Sequence, residues 1–467
     1  MRILEEIDKS GYFWLPTNPD HKIPGNIKII DGGSITLEVI GLLDESIDGL
    51  NKTINNKANI GRIVGQIEKY GMVTLDFCYY LNASISFGGV SKSFIYVGRA
   101  ILGISYGENE EIEISSFRFT VDNLDEWIGI SGIKVEWDIE NKSATIKYTP
   151  LDDIHIILKN DMNLIVTYEW TLPSFAKIKE AKITQCVYFK IESKNARPIQ
   201  EYIELARKIT NLMCFAMNKT VSLQNASIRS QTKIIESLDR ETKILSSQVY
   251  YKSIPYSESK PKIDVDSMLF NFQTIERCFG SVVNNWLFAY ERYSSSLNLY
   301  FSAKTGGHRY IEGNFLSLAQ CLETYHRKIS DKKLMNERLF IELCAFLVRL
   351  CPKSYKTWLE GRISNGNEIN LTQRIKDIVD PYKNLIGNSK YRGKLISSIV
   401  KTRNYLTHYD ERLKKEACEG IALMSLSSKL ELLFQLHLLD ALGFNRSDIE
   451  NILNQNANLQ FKLNMPL

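Results

Sequence analysis

A chain of 467 residues is too long for one hydrophobic core, so the sequence predicts two or three domains. Hydrophobic residues at 44% and charged residues at 24% are ordinary for a soluble globular protein, and the formal net charge of +4 excludes a uniformly basic molecule. No apolar run reaches the roughly 18 residues that a membrane span needs, which excludes the membrane as a partner.

The first part of the chain is predicted to form strands up to about residue 192. The segment "GNIKIIDGGSITLEVIGLL" alternates polar and apolar residues around an Asp-Gly-Gly turn, which is the pattern of a β-hairpin. The segment "DIENKSATI" places a second turn at Glu140, Asn141 and Lys142. Many short strands without intervening helices predict an antiparallel β-sandwich or barrel-like domain over residues 1–192.

The rest of the chain is predicted to be mainly helical. Residues 193–265 begin with the amphipathic segment "RPIQEYIELARKITNLMCFAM" and continue as a polar connecting region that contains Pro255 and Pro261. From residue 266 to residue 467 the apolar residues recur three and four positions apart, which predicts a bundle of α-helices. The expected fold class is therefore α+β, with a β-rich domain followed by a helical bundle.

Several common catalytic motifs are missing from the sequence. The segment "SFGGVSKS" at residues 86–93 lacks the Gly-Lys-Ser/Thr ending of a phosphate-binding loop, and neither a zinc-binding H-E-x-x-H helix nor a G-x-S-x-G elbow occurs. Six scattered histidines predict no His-rich metal site. Eight cysteines without a C-x-x-C pair, and no cleavable signal sequence, indicate reduced thiols in a cytoplasmic protein.

Basic residues concentrate between Lys390 and Lys415, where eight Lys or Arg against two acids give a local charge of +6. Such a patch suits a polyanion, although a solvated helix face has the same composition. Within it, "KTRNYLTHYD" contains Arg403 and His408. An imidazole can exchange a proton at neutral pH and a guanidinium can grip a phosphate. These are the two abilities that metal-free RNA cleavage needs.

The spacing of Arg403 and His408 is not decisive by itself. Twenty arginines and six histidines give roughly one such pair by chance in a chain of this length. Five residues at about 100° each also separate the two side chains by some 140° on a straight helix, whereas Asn404 and His408 share a face. Three arrangements stay open: a long reach by Arg403, a helix that ends near the motif, or a site assembled from two copies of the protein.

Several segments resemble a known family. "TRNYLTH" resembles the R-x4-6-H signature of HEPN domains, many of which are metal-independent ribonucleases. "FLSLAQCLETYHRK" is similar to the Gln-x-x-Glu-x-x-His-Arg helix of the ApeA-like branch, here Gln320, Glu323, His326 and Arg327. "LTQRIKDIV" and "LLDALGF" fit the same branch, and "GYFWLPTNPDHKIPGNIKI" and "LDEWIGISGI" resemble its N-terminal domain. The chain is thus identified as a member of the ApeA-like HEPN proteins of bacterial abortive-infection defence.

The resemblance implies a role for each matching residue. Arg403 would hold the scissile phosphate, His408 would act as general base or acid, and Asn404 would orient the ribose or the imidazole. Glu323 would fix the His408 tautomer or position the pair, with an ordinary ion-pair carboxylate as the alternative. The candidates for RNA contacts are three cations and one aromatic residue, Lys401, Arg392, Lys394 and Tyr405. For the aromatic residue, a buried or interface tyrosine is the alternative.

These roles predict a metal-independent endoribonuclease that cleaves host RNA, with transfer RNA as the candidate substrate, and thereby arrests the infected cell. The resemblance implies no metal or organic cofactor. It further implies a homodimer or higher homo-oligomer through the HEPN domain, and a phage-derived trigger acting on the N-terminal domain. Two alternatives stay open: a non-catalytic RNA-binding or assembly module, and a ligand-binding β-domain with a helical dimerisation tail.

Overall fold

The computed structural model describes residues 1–44, 59–84, 89–173, 179–236 and 242–467, with only the backbone described for 231–236 and 242–245. The segment that superficially resembles a phosphate loop, residues 86–93, lies partly outside the described residues. The chain forms two compact units, Met1–Asn284 and Asn285–Leu467. The β-rich unit therefore extends far beyond residue 192, and the boundary between the units falls within a helix rather than at residue 265.

Fourteen β-strands lie in the described part of the first unit. They are β1 Ile7–Trp14, β2 Ile23–Ile30, β3 Ser34–Ile40, β4 Asn59–Ile67, β5 Gly71–Ser84, β6 Lys92–Leu102, β7 Glu113–Val121, β8 Ile133–Asp138, β9 Ser143–Tyr148, β10 Ile154–Ile157, β11 Met162–Thr171, β12 Thr184–Pro198, β13 Leu223–Glu236 and β14 Thr242–Tyr251. Twelve of them form one antiparallel sheet, and β8 and β9 form a separate hairpin.

Six strands of the large sheet close into an antiparallel barrel. The order runs from β6 through β3, β2, β1 and β4 to β5, and β5 pairs back with β6. Buried apolar side chains alternate with more exposed ones, as along β3, because successive residues of a strand point to opposite faces. Phe13, Ile27, Leu37, Val73 and Ile95 are fully buried in this way. The predicted antiparallel, barrel-like fold class is confirmed.

Both predicted hairpin turns are confirmed. Gly32 and Gly33 join β2 to β3 with φ values of 91° and 78°, a left-handed conformation that glycine adopts at little cost. A Cβ atom on Gly33 would also lie 2.2 Å from the Tyr251 carbonyl oxygen, so no larger residue fits. The β8–β9 turn contains Lys142 with φ of 52°, where the sequence predicts it.

The sheet continues beyond the barrel into the segment that the sequence predicts to be a polar connection. From β6 the order runs through β14, β13, β7, β12 and β11 to β10. The helix α2, Ile199–Ala216, packs on β7 and β12. In β13, Ala226 and Ile228 are buried while Gln224 and Arg229 are not. The segment 193–265 is therefore part of the β-rich unit and not a connecting region. Its sequence resembles a polar loop because outward residues of β13 such as Gln224 and Arg229 are polar.

Helices form the second unit. After the short helices α1 Leu124–Ile128 and α3 Phe272–Ile275 of the first unit come α4 Phe279–Lys304, α5 Ile311–Ile329, α6 Glu337–Leu350, α7 Lys356–Ile363, α8 Leu371–Val379, α9 Lys383–Ile386, α10 Ser389–His408, α11 Gly420–Leu442, α12 Arg446–Gln455 and α13 Ala457–Asn464. The helix α11 is buried along most of its length and packs against α5. Gly443, with φ of 101°, ends it. None of the helices in the described residues combines the length and apolarity that a membrane crossing requires.

Candidate active site

The Arg-to-His motif lies at the C-terminal end of α10. Asn388 caps the start of this helix, because its side chain accepts a hydrogen bond from the Tyr391 N–H at 2.9 Å. At the other end Tyr409 adopts a left-handed conformation with φ of 50°, and its N–H donates to the Tyr405 carbonyl at 2.6 Å. The helix therefore continues through the whole motif and ends at His408 itself.

The buried face of α10 separates the two motif side chains. Ile399 is fully buried, and Leu395 and Thr402 lie beside it on the same face. At about 100° per residue, Arg403 stands about 40° from Ile399 and His408 about 180° from it. Arg403 is accordingly 30% exposed, whereas His408 lies on the exposed face. The helix ends at the last residue of the motif but stays helical between the two residues, so a single copy of α10 places them on different faces.

Arg403 is held by two residues that the sequence also singles out. Its Nη2 donates to Glu323 Oε2 of α5 at 3.2 Å, and its Nη1 donates to Asn404 Oδ1 at 3.3 Å. Glu323 is 19% exposed, so water screens this ion pair only partly. A guanidinium has five N–H donors, which leaves donors for a phosphate. Arg403, Asn404 and Glu323 together form what we term the motif cluster.

Glu323 interacts with guanidinium groups and not with the imidazole of the motif. Its Oε1 accepts a hydrogen bond from Arg327 Nη2 at 3.2 Å, and its Oε2 accepts from Arg403. Both oxygens of Glu323 thus bind guanidinium groups, and neither of these bonds involves the imidazole of His408. This geometry agrees with positioning of Arg403 by Glu323 and equally with the alternative of an ordinary ion-pair carboxylate, and it gives Glu323 no bond that would fix the His408 tautomer.

Charged side chains continue from the motif cluster towards α8. Arg327 Nη1 donates to Glu368 Oε2 at 3.3 Å, and the same oxygen accepts from Arg374 Nη2 at 2.5 Å. Lys333 also pairs with Glu368. The hydrogen bond from Lys333, followed by that from Arg374, holds the pKa of Glu368 below its ordinary value. Glu368 therefore stays ionised and links three cations.

A second cluster, which we term the inner cluster, consists of His326, Arg374 and Asp377. His326 is 1% exposed, with Nε2 3.3 Å from Asp377 Oδ2 and Nδ1 3.3 Å from Arg374 Nη1. Because arginine can only donate, Nδ1 accepts and Nε2 carries the proton, so the ring is neutral. Burial lowers the pKa of His326 and favours the same form. In the part of the chain that the structure describes, no group of three or more potential metal ligands occurs.

The three cations predicted to hold RNA all interact with other parts of the chain. Lys401 pairs with Glu416, and Lys394 donates to the Leu467 carbonyl at 3.1 Å. Arg392 donates to two backbone carbonyls in and just after α9. Lys401 and Glu416 are 40% and 50% exposed, and such pairs contribute little and exchange readily. Lys401 thus retains the ability to bind a phosphate, whereas Arg392 has a structural role at the start of α10.

Two tyrosines lie near the end of α10. Tyr405 is 9% exposed, and its ring lies edge-on to Tyr409 with centroids 5.7 Å apart. This position leaves little room for a base on its ring and agrees with the alternative of a buried tyrosine. Tyr409 is 67% exposed and follows His408 directly. Tyr409 was not among the predicted RNA contacts, although its place directly after the motif histidine made it a candidate.

Two family descriptions match the chain. ApeA N-terminal domain 1 matches residues 8–286, and Apea-like HEPN matches residues 316–448. The second range contains the whole motif cluster, the inner cluster and His408. Comparison with curated proteins and with solved structures gives no significant match. The predicted family is confirmed over most of the chain.

Proposed function

The chain belongs to the family that joins ApeA N-terminal domain 1 to an ApeA-like HEPN domain, and from this premise we propose a metal-independent endoribonuclease of bacterial anti-phage defence. HEPN domains are generally nucleases, and they commonly dimerise and bind RNA. The proposal assigns RNA cleavage to Arg403 and His408 of a cytoplasmic protein. Host transfer RNA is the proposed substrate, and arrest of the infected cell is the proposed result.

The observation that carries the proposal is the setting of Arg403. Its guanidinium is oriented by Glu323 and Asn404 and is still 30% exposed. Arg374, in contrast, is 3% exposed and pairs with Glu368 and His326. A positioned cation with unused donors is what an anionic phosphoryl transition state requires. A guanidinium that is buried away from solvent cannot reach an RNA phosphate in this way.

The proposed reaction moves one proton and exchanges one phosphorus–oxygen bond for another. His408 accepts the proton of a ribose 2′-hydroxyl, and the 2′ oxygen bonds to the adjacent phosphorus. The bond from phosphorus to the 5′ oxygen of the next nucleotide breaks, and a second imidazole returns a proton to that oxygen. Arg403 stabilises the negative charge that develops on the phosphoryl oxygens. The products are a 2′,3′-cyclic phosphate and a 5′-hydroxyl.

In the proposed site, the arginine comes from one copy of the chain and the histidine from a second copy. Because Arg403 and His408 lie about 140° apart on α10, we place Arg403 beside His408 of the partner subunit across a two-fold axis. The same arrangement brings two imidazoles to one groove, one as base and one as acid. Lys401 and the exposed ring of Tyr409 are placed along the RNA, by charge and by stacking respectively.

The decisive experiment is cleavage of purified total RNA by the full-length protein in EDTA, with and without phage lysate. We expect new ends that carry a 2′,3′-cyclic phosphate and that disappear in both Arg403→Ala and His408→Ala. The matched controls are Arg338→Ala and His155→Ala, which replace exposed residues that belong neither to α10 nor to the motif cluster. RNA that the protein binds but leaves intact under both conditions would instead support the non-catalytic RNA-binding module.

Regulation is proposed to reside in the first unit. The family match over residues 8–286 covers nearly all of it, and the motif cluster lies in the second unit. A phage-derived trigger acting on the first unit would release or complete the nuclease. Cleavage that depends on phage lysate in the full-length protein supports this arrangement, and full activity without lysate contradicts it.

A further inference from the structure

A cavity of about 320 Å³ lies in the first unit, among residues of β5, β6, α2 and the segment that follows β14. Its volume is in the range of small-molecule binding sites. Cavities of this kind bind ligands when apolar walls surround a few well-placed polar groups. The lining of this cavity has that composition, and neither the family resemblance nor the nuclease proposal uses it.

The apolar part of the lining is unusually exposed. Phe77, with φ of 56°, is 54% exposed, and Ile254 is 67% exposed. The position of Phe77 depends on Gly98, because a Cβ atom there would lie 2.8 Å from the Phe77 Cβ. Tyr251 adds a mostly buried ring. These surfaces suit a planar or apolar portion of a ligand, which would cover them.

Two buried polar atoms of the lining lack hydrogen-bond partners in the described part of the chain. Arg99 is 7% exposed and its Nη2 donates to Asp76 Oδ2 at 2.6 Å, but its Nε–H has no acceptor. Ser253 is 8% exposed and its Oγ also has no partner. Leaving such a buried group without a hydrogen-bond partner is unfavourable. An acceptor on a bound ligand would remove this cost at both positions.

The charge of the lining is positive. Arg99, Arg207 and Lys252 line the cavity, and no acidic residue of the described chain lines it. Arg207 pairs only loosely with Glu204 of its own helix, at 4.0 Å. The nearby carboxylate of Asp76 is shared between Arg99 and Arg62, so one negative charge faces two guanidinium groups. The local potential therefore favours an anion.

We propose that this cavity binds a small anionic ligand with a planar apolar portion, and that a nucleoside monophosphate has the required chemistry. The phosphate would accept hydrogen bonds from Arg99 Nε and Ser253 Oγ. Arg207 and Lys252 would add charge, and the base would contact Phe77 or Ile254. This inference does not rest on the nuclease proposal, because binding to the first unit is measured without any cleavage.

Isothermal titration calorimetry of the full-length protein tests the proposal with AMP, GMP, CMP and UMP as probes. The corresponding nucleosides and inorganic phosphate are the comparison ligands. We expect saturable binding of at least one nucleotide, with its nucleoside and inorganic phosphate each weaker by about tenfold or more. Equal affinity for nucleotide and nucleoside would overturn the anionic site. No saturable binding of any nucleotide up to about 10 mM would overturn the ligand class.

Variants locate the site. Ser253→Ala should weaken binding about tenfold, because it removes a hydrogen bond to a charged group. Lys252→Ala should weaken it about threefold, and less at high salt. Lys28→Ala, which replaces an exposed lysine outside the cavity lining, should have no effect. Arg99 holds Asp76, so Arg99→Met endangers folding, and the test therefore rests on Ser253 and Lys252. Unchanged affinity in both variants would place the ligand elsewhere.

Discussion

The inner cluster, and the motif cluster taken together with His408, each combine an arginine, a histidine and a carboxylate, but the two groups differ in their exposure to solvent. In the inner cluster, His326 and Arg374 are nearly inaccessible, and both ring nitrogens of the histidine are engaged. In the motif cluster, Arg403 is oriented but keeps free donors, and His408, which lies outside that cluster, is exposed at the end of α10. A histidine beside an aspartate and an arginine is therefore compatible with a purely structural role. The proposed chemistry requires an accessible imidazole and a guanidinium with free donors.

The largest expected effect is the loss of RNA cleavage when Arg403 or His408 is replaced. Arg403→Ala and His408→Ala should each lower the rate of RNA cleavage about a thousandfold, since they remove transition-state stabilisation or proton transfer. Their urea unfolding midpoints should match the parent protein, because Arg403 is partly exposed and His408 is exposed. A variant that unfolds earlier and cleaves normally would assign that residue to the scaffold.

The next effect is a loss of stability at acid pH that arises from two buried histidines, His326 of the inner cluster and His437. Burial lowers the pKa of His326, and it lowers that of His437 from 6.5 to about 4. The unfolded chain regains the ordinary values and so binds more protons below pH 6.5. The stability that these two histidines contribute is therefore fully present above about pH 6.5 and is lost as the pH falls towards 4. His437 alone contributes about 3 kcal/mol to the free energy of unfolding.

Urea unfolding near pH 7 and near pH 4 measures this loss. His437 Nε2 lies 2.9 Å from the Ile378 carbonyl, a bond that a glutamine amide can also donate. His437→Gln should therefore flatten the pH dependence, while His155→Ala should leave it unchanged. An equally steep loss of stability in His437→Gln would show that other groups carry it.

A smaller effect is expected from the inner cluster at neutral pH. His326→Ala should lower the free energy of unfolding by about 2 kcal/mol, because Arg374 Nη1 loses its buried acceptor and Asp377 loses the imidazole donor, although Arg374 keeps Glu368. Cleavage per folded molecule should persist. The measurement is urea unfolding together with single-turnover cleavage. Lost cleavage at unchanged stability would move His326 into the chemistry.

The smallest expected effect tests Glu323 as a positioning residue. Glu323→Ala should lower kcat about tenfold with little change in KM, because Arg403 loses its orientation. Glu323→Gln should restore most of the rate, since an amide oxygen still accepts from Arg403. Glu342→Ala is the matched control, because Glu342 pairs with Arg338 at the same distance of 3.2 Å on an exposed helix face. A purely structural role would lower stability equally in Glu323→Ala and Glu323→Gln without the split between kcat and KM.

The β-rich front of the chain was predictable up to β12, because alternation of period two and turn residues such as Gly32 and Gly33 are local signals. The strands β13 and β14 were not predictable, because polar outward residues such as Gln224 and Arg229 make this segment resemble a polar connection. The motif segment was also identifiable from sequence. The separation of Arg403 and His408 followed from helix geometry, and the uninterrupted α10 agrees with it.

The sequence by itself determined the change from strands to helices, the two hairpin turns and the segment that contains the Arg-to-His motif. These features depend on residues within a few positions of one another. Only the tertiary structure decided that Glu323 holds Arg403 from 80 residues away, that Arg392 binds backbone carbonyls and that His326 is buried and fully paired. Burial and pairing arise from packing between distant elements, and no local pattern records which neighbours a side chain will have.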